Sequence, residues 1–396
     1  MGNQESTINN PPRSSSTEVY LPMGGMRMNG EKETDNDNTS QILPRKPRSQ
    51  LLKTSYTGIW SMVNTDNSPA GRTLQFWCTD EENRFVYTGF GIGQNDEYLT
   101  DINKFNISTQ EWTPFPLKGD TISSRVNSRA IISKGVLYIF GGNHDRDYYN
   151  DIYSITLSTG EVKLLQTTGG IPSPRSSPVI GLYNQHIYIW GGYDGLNCPS
   201  ELHILNLDTL EWTVLPQAVI GRASPSYVQV NETIYAYGSS KVGGLIMINL
   251  ETNTVSQEPT TGCEPIPTLV DASLVYFDNF LLLIGGRSHT DYTYVYALSL
   301  DDANDKKWWF VFHVIPDGET VSVSDGDISD VGMFMVPRIH SLGVVFDQAR
   351  RQILGFFGSI YKQSDSLVQL DIGDALSFIH LRDDMMISLR DSISSS

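Results

Sequence analysis

The clearest candidate for a metal site in this chain is a run of oxygen-bearing side chains, Asn143, Asp145 and Asp147. Such residues at positions one, three and five begin a calcium-binding loop of the EF-hand type. That loop also needs glycine at position six and glutamate at position twelve, where this sequence has Tyr148 and Ser154. The pattern excludes an EF-hand, and the sequence predicts neither a metal site nor a bound cofactor.

Other residue types that carry catalysis are scattered along the chain. The cysteines are odd in number and lie far apart, at Cys78, Cys198 and Cys263, which is typical neither of a disulfide framework nor of a zinc site. No nucleophile elbow, phosphate-binding loop or paired-acid motif occurs. The histidines have no close ligand spacing, although separate segments can still meet in the fold: His144, His186, His203, His289, His313, His340 and His380.

A recurring segment predicts the elements that hold these residues. The copy that begins at Asn127 reads as strand, turn, strand, Gly-Gly, loop, strand, turn, strand, and a second copy begins at Ser176. The same interval of sixteen residues separates an arginine from a glycine in three copies: Arg125 and Gly141, Arg175 and Gly191, Arg222 and Gly238. This shared spacing indicates one structural unit repeated along the chain.

Landmark glycines divide the chain into six units of roughly 50 residues: Gly89, Gly141, Gly191, Gly238, Gly285 and Gly358. A hydrophobic strand, a glycine pair, an acid or amide near Asp151 and then Trp112 or Trp212 resemble the kelch repeats. The resemblance covers about residues 56–381 and implies an all-β, six-bladed β-propeller. Two units are irregular, because Gly238-Ser239 and Gly358-Ser359 replace the pair.

The outer strands and the closure of the ring can also be predicted. Outer strands are marked by a tryptophan that fills the wedge between diverging blades: Trp112, Trp212 and Trp308. Closure avoids exposed sheet edges. Residues 55–63 contain Trp60 but belong to no unit, and the sixth unit has Ala375 where a tryptophan would align. We expect residues 55–63 to complete the sixth blade, and a strand over residues 376–381 is the alternative.

One arginine position precedes the first strand of most units. It is occupied in five units of six, and Leu269 departs from it: Arg72, Arg125, Arg175, Arg222 and Arg338. Structurally, each arginine would tie a loop to the neighbouring blade through carbonyl groups or an acid. Functionally, the series would form a basic ring on an acidic molecule. Kelch propellers that capture acidic peptides use arginines in comparable loops, so the resemblance implies an anion-binding rim.

Three loops after the glycines combine aromatic and hydrogen-bonding side chains, a mixture typical of interface hot spots. They cover residues 143–150, 193–200 and 287–292, and ordinary solvated loops are the alternative interpretation. The predicted partner-binding residues there are His144, Asp145, Arg146, Tyr148, Tyr193, Asp194, Arg287 and His289. The stretch over residues 316–330 is rich in Asp and Ser and predicts a mobile acidic excursion between the fifth and sixth units.

Residues 1–50 differ in kind, because Ser, Asn, Pro and charged residues dominate without hydrophobic periodicity. They predict a disordered arm. The chain begins Met1-Gly2-Asn3-Gln4-Glu5-Ser6, which matches the N-myristoylation pattern. One myristoyl chain binds membranes weakly, so an acylated Gly2 predicts a reversible tether at the cytoplasmic face of a membrane. Residues 51–381 are assigned to the propeller, and residues 382–396 to a tail with a short helix followed by disorder.

Charge and hydropathy narrow the class of partner. The net charge is −17, and the arm contributes nothing to it, because six basic residues balance six acids there. An acidic propeller disfavours nucleic acid as a partner. No apolar run approaches the ~18 residues of a membrane span, and the N-terminus lacks the apolar region of a signal peptide. These features predict a cytoplasmic location.

The sequence therefore predicts a monomeric protein-interaction module, a scaffold or adaptor, whose unidentified protein partner presents an acidic peptide. The alternative is an enzyme with its active site at a channel mouth, since some kelch propellers are oxidases or mutarotases. The tyrosine–cysteine pair and histidine ligands of the oxidases do not map onto this chain.

Overall fold

The described part of the chain lies in one of two units. The units are Met1–Arg45 and Lys46–Ser396, and the second contains every described residue. The computed structural model describes residues 58–65, 67–239, 243–287, 295–300, 307–312, 314–320, 327–328, 334–335, 339–359 and 366–372. The predicted arm and C-terminal tail lie outside them. Within these ranges no helix is long and apolar enough to cross a bilayer.

These residues form an all-β, six-bladed propeller, which confirms the predicted fold class. The strands of the first half, in chain order, are β1 (Gly58–Val63), β2 (Phe76–Thr79), β3 (Phe85–Gly89), β4 (Ile102–Asn106), β5 (Glu111–Pro114), β6 (Lys118–Gly119), β7 (Arg129–Ser133), β8 (Val136–His144), β9 (Asp147–Thr156), β10 (Glu161–Leu164), β11 (Thr168–Gly169), β12 (Val179–Tyr183), β13 (His186–Trp190), β14 (Leu202–Asn206) and β15 (Glu211–Leu215). Blade one is β2–β5, blade two is β7–β10 and blade three is β12–β15.

The second half repeats this arrangement. Its strands are β16 (Ser226–Val230), β17 (Thr233–Tyr237), β18 (Leu245–Asn249), β19 (Thr254–Glu258), β20 (Thr260–Gly262), β21 (Ser273–Phe277), β22 (Phe280–Ile284), β23 (Val295–Ser299), β24 (Lys307–Phe312), β25 (Val314–Pro316), β26 (Asp327–Ile328), β27 (Phe334–Met335), β28 (Gly343–Asp347), β29 (Gln352–Phe356) and β30 (Leu367–Asp371). Blade four is β16–β19, blade five is β21–β24, and β28–β30 with β1 form blade six. The acidic stretch over residues 316–330 contains β26, which pairs with β27.

Each blade is an antiparallel sheet whose first strand lies at the axis. Most innermost strands contact their neighbours around the ring. Gln229 joins β16 to β12, because its side-chain amide binds both backbone groups of Leu182. The apolar core lies between blades: one cluster combines Phe76 of blade one with Leu137 and Val162 of blade two.

Blade six takes its outermost strand from the start of the chain, which confirms the prediction for residues 55–63. β1 pairs antiparallel with β30, and Trp60 lies opposite Leu370 in the register that Trp212 has in blade three. On its other edge β1 pairs in parallel with β25. Residues 55–57 and the alternative strand over residues 376–381 lie outside the described residues.

In five blades a glycine of this turn bonds to the next blade. The Gly142 N–H donates to Arg175 O at 2.9 Å, and a Cβ on Gly142, at φ +97°, would lie 2.6 Å from Val126 O. The same inter-blade bond starts from Gly91 in blade one and Gly358 in blade six. The equivalent pairs there are Phe90-Gly91 and Phe357-Gly358, which corrects the landmarks Gly89 and Gly358-Ser359.

Blade five corrects the predicted outer tryptophan. Trp309, and not Trp308, pairs with Leu298 and is fully buried, whereas Trp308 is partly exposed. Adjacent residues of a strand point to opposite faces, so a shift of one position exchanges the buried ring for the outer one. The Trp309 indole N–H has no acceptor among the described residues, so this ring contributes by packing.

Candidate functional site at the upper face

The upper face is the end of the propeller at which the second strand of each blade ends. The arginine position lies at the same end, just before the first strand of the blade. In blades one and two this position carries a complete ion pair. Arg72 donates to both carboxylate oxygens of Asp101 at 2.8 and 2.7 Å, and Arg125 donates to those of Asp151 at 2.6 and 3.0 Å. Both arginines are fully buried. Burial acts to raise the pKa of Asp101, but the bonds from Arg72 outweigh it and hold this pKa below its ordinary value.

Arg175 of blade three is equally buried but bonds only neutral groups. Its Nε and Nη2 donate to Ser173 O and Oγ, both at 2.9 Å, and its Nη1 donates to Gly191 O at 3.1 Å. Glu201 occupies the place of Asp151, since Glu201 precedes the residue opposite Trp190 and Asp151 precedes the residue opposite Phe140. Glu201 is exposed and forms no ion pair with Arg175 among the described contacts. Burial therefore lowers the pKa of Arg175 to about 10, although Glu201 and Asp194 oppose the shift.

Arg222 of blade four has still fewer acceptors. Its Nη1 donates to Ile220 O at 3.0 Å, the bonds from its Nη2 are 3.4 Å or longer, and its Nε has no acceptor among the described residues. Gly244 stands where Asp151 stands in blade two, so this blade offers no carboxylate. Burial lowers the pKa of Arg222.

The remaining two blades lack the arginine. The Gly286 N–H donates to Ile339 O, which is the bond that Gly142 makes to Arg175. Ile339 therefore holds the arginine position of blade six, and the equivalence predicted for Arg338 is wrong by one residue. Arg338 itself lies outside the described residues. Leu269 holds the position in blade five, as expected, because a Cβ on Gly238 would lie 2.3 Å from Leu269 O, just as one on Gly141 would lie 2.8 Å from Arg175 O.

The predicted loop over residues 143–150 is largely a β-hairpin. Asn143 pairs with Tyr148 and His144 with Asp147, so Asp145 and Arg146 alone form the turn. The His144 ring stacks on Tyr98 of blade one, with centroids 3.9 Å apart, and the Tyr98 hydroxyl donates to Asp145 Oδ1 at 3.0 Å. Support from the neighbouring blade explains why the strands continue past the glycines. The Arg146 side chain is exposed at the tip.

The other predicted residues have separate surroundings. Tyr148 meets Tyr193 edge to face, with centroids 5.9 Å apart. Asp194 Oδ1 accepts backbone N–H groups of its own loop. Arg287 pairs with Asp271 at 2.7 Å, on another blade from these tyrosines. His289 and Gly2 lie outside the described residues, and whether any predicted residue binds a partner stays a prediction.

Two exposed aliphatic side chains were not predicted from the sequence. Leu196 is 81% exposed and Ile220 is 64% exposed, although large apolar residues are usually buried. Their segments touch, because a Cβ on Gly221 would lie 2.1 Å from Pro199 O. Both segments also adjoin the arginines that lack a carboxylate. Only the apolar run from Ala218 to Ile220 before Arg222 could have indicated this patch from sequence.

A cavity of about 400 Å³ adjoins Arg175 and is also lined by Asn197, Glu201 and His203. Burial lowers the pKa of His203, and the positive charge of Arg175 adds to this effect. His203 is therefore neutral at neutral pH, with Nδ1 donating to Gly170 O at 2.9 Å. Among the described residues, no three His, Cys, Asp or Glu side chains cluster closely enough to hold a metal ion.

Comparison with known proteins agrees with this architecture. The family model of the KLHDC2/KLHL20/DRC7 Kelch-repeats domain matches residues 78–244. Over these residues the chain is similar to kelch repeats. The matched part includes the arginine positions of blades two, three and four.

Similar proteins align with about half of this chain. Kelch domain-containing protein 10 of Homo sapiens is 26% identical over 227 residues, which are 53% of this chain and 51% of that protein. The Xenopus laevis protein of the same name is 25% identical over 226 residues, 53% of this chain and 55% of that protein. Acyl-CoA-binding domain-containing protein 4 of Arabidopsis thaliana is 24% identical over 213 residues, 49% of this chain and 32% of that protein. The alignment thus spans about half the length of the kelch domain-containing relatives.

Proposed function

We propose that this kelch propeller is a protein-interaction scaffold that binds an acidic segment of a partner protein at the upper face of blades three and four. The observation that carries the proposal is the difference among the arginines. Arg72 and Arg125 already hold a carboxylate, whereas Arg175 and Arg222 hold none among the described residues. A desolvated guanidinium forms its strongest bonds with a carboxylate, so a partner can supply the missing acid.

The aliphatic patch beside these arginines supports the same surface. Leu196 and Ile220 offer apolar area next to the cavity at Arg175, and interface hot spots combine such area with a few charged anchors. The aromatic pairs Tyr98–His144 and Tyr148–Tyr193 brace the neighbouring loops. A braced surface loses little side-chain entropy when it binds.

Peptide display tests this proposal. Peptides selected from a randomised library on the full chain should be rich in Asp and Glu, and their affinity should fall at least ~10-fold in the double variant Arg175→Gln, Arg222→Gln. Arg84→Gln is the matched control, because Arg84 is an exposed arginine in the turn after β2, at the opposite end of the blade. Selected peptides without acidic residues, or equal binding by the double variant, would refute the acidic-segment proposal.

We also propose that a myristoyl group on Gly2 tethers this monomeric, cytoplasmic scaffold reversibly to a membrane. The support is the N-terminal motif alone. Intact-mass measurement of the protein from eukaryotic cells should show the mass of one myristoyl group, and Gly2→Ala should abolish both that mass and membrane co-sedimentation. An N-terminus that retains Met1 or carries only an acetyl group would end the tether proposal.

A further inference from the structure

The axial channel contains a cationic side chain that the proposed protein-binding surface does not use. A cavity of about 280 Å³ runs between the innermost strands. Arg129, the first residue of β7, reaches across this cavity, and its guanidinium carbon lies 5.4 Å from the centre of the Tyr227 ring on β16. Blade three separates these strands in chain order, so the two side chains meet inside the channel.

The guanidinium of Arg129 has spare donors. Its Nε donates to Pro178 O at 2.9 Å, whereas no described residue accepts a bond from Nη1 or Nη2. Asp271 is the single carboxylate among the described residues that line the cavity, and it pairs with Arg287 at 2.7 Å. The positive charge in the channel therefore has no anionic partner among the described residues.

Three buried polar atoms of residues that line the same cavity have no hydrogen-bond partner among the described residues. Asp271 Oδ2 is one, and the ion pair with Arg287 neutralises its charge. The other two are Gln75 Oε1 and Ser226 Oγ, in side chains that are each 4% exposed. Gln75 uses its amide nitrogen for Ser341 O, so its oxygen can only accept a bond. A buried polar atom without a partner destabilises the protein, and a ligand that bonds it recovers that free energy.

We infer that the axial cavity binds a small protonated oxyanion. Arg129 forms an ion pair with it, Ser226 forms a hydrogen bond with one of its oxygens, and Gln75 Oε1 accepts a hydrogen bond from its O–H group. Dihydrogen phosphate has this chemistry. Sulfate has the charge and shape but no proton to give to Gln75. This inference is independent of the proposed partner surface.

Calorimetric titration of the full chain with inorganic phosphate tests the inference, in mildly acidic buffer of constant ionic strength. Phosphate should bind the unaltered protein more tightly than sulfate does, and Arg129→Gln should weaken phosphate binding at least ~10-fold. Arg84→Gln is the matched control, since Arg84 is an exposed arginine outside the cavity, and it should bind as the unaltered protein does.

Ser226→Ala is the second variant, because the loss of one hydroxyl without a partner should leave the thermal unfolding temperature unchanged. Ser226→Ala should weaken phosphate binding, so it tests the inference even if the Arg129→Gln variant fails to fold. The absence of phosphate binding would overturn the inference. Equal binding of phosphate by both variants and the unaltered protein would overturn it as well, as would equal affinity for phosphate and sulfate.

Discussion

Blades one and two carry the same arginine as blades three and four, but its surroundings divide the propeller into two regions. In the first region Asp101 and Asp151 neutralise Arg72 and Arg125. In the second, Arg175 and Arg222 are as deeply buried, with no carboxylate partner among the described residues. Breaking a buried ion pair costs more than either partner contributes by itself, because the remaining charge stays desolvated. The repeated arginine thus pairs with a carboxylate in one region, and in the other it lacks the carboxylate that we propose a partner supplies.

The change with the largest expected effect is a deletion that unfolds both regions. Removal of residues 1–63 takes β1 away from β30 and removes the fully buried Trp60 from the core. The shortened chain should therefore show no cooperative thermal transition in circular dichroism. Deletion of residues 1–50 is the control and should melt like the full chain. If the longer deletion also melts like the full chain, β1 is not needed for closure.

Replacing the acid by its amide should lower the unfolding free energy by different amounts in the two regions. Asp151→Asn leaves Arg125 buried without its carboxylate and should cost on the order of 3 kcal/mol of unfolding free energy. Glu201→Gln at the equivalent place in blade three should cost under about 0.5 kcal/mol, because Glu201 is exposed and bonds no arginine among the described contacts. Urea unfolding measures both. Equal losses in the two variants would abolish the proposed difference between the regions.

Converting the second region into the first is a sharper test. Glu201→Asp places the acid of blades one and two beside Arg175, and a two-bond pair there should stabilise the protein by about 1 kcal/mol. The same change should weaken the binding of acidic peptides, because the new carboxylate occupies the guanidinium. Urea unfolding and fluorescence anisotropy measure the two effects. Unchanged stability together with unchanged peptide affinity would contradict the comparison.

The smallest expected effect is a difference in pH dependence. The folded-state pKa of Asp101 is depressed, so its pair stabilises the protein above the unfolded-state pKa of about 4, and this contribution is lost as pH falls through the lower folded-state value. Asp101→Asn should therefore flatten the decline in stability below about pH 4. Stability curves from urea unfolding at several pH values should show this flattening, and a decline as steep as that of the unaltered protein would contradict it.

The number of residues between the arginine position and the first position of the glycine pair explains which blades could be aligned from sequence. Blades with sixteen residues between arginine and glycine aligned correctly, and the chain of inter-blade bonds confirms them. In blades one and six the interval is eighteen residues, and phenylalanine replaces the first glycine at φ of about 60°. Such backbone costs about 1–2 kcal/mol for a residue with a side chain. Phe357 offsets this cost by packing 5.0 Å from Trp112, a contact that no local pattern reveals.

The amino-acid sequence by itself determined the all-β class, the number of blades and the strand that closes the ring, because these follow from hydrophobic periodicity and the spacing of Gly and Trp. Only the tertiary structure decided which arginines form an ion pair with a carboxylate. That distinction depends on whether an acid from the third strand of the same blade reaches the guanidinium, and Asp151, Glu201 and Gly244 occupy the same place with different results. The exposed Leu196 and the channel position of Arg129 likewise follow from how whole blades pack, which local sequence does not encode.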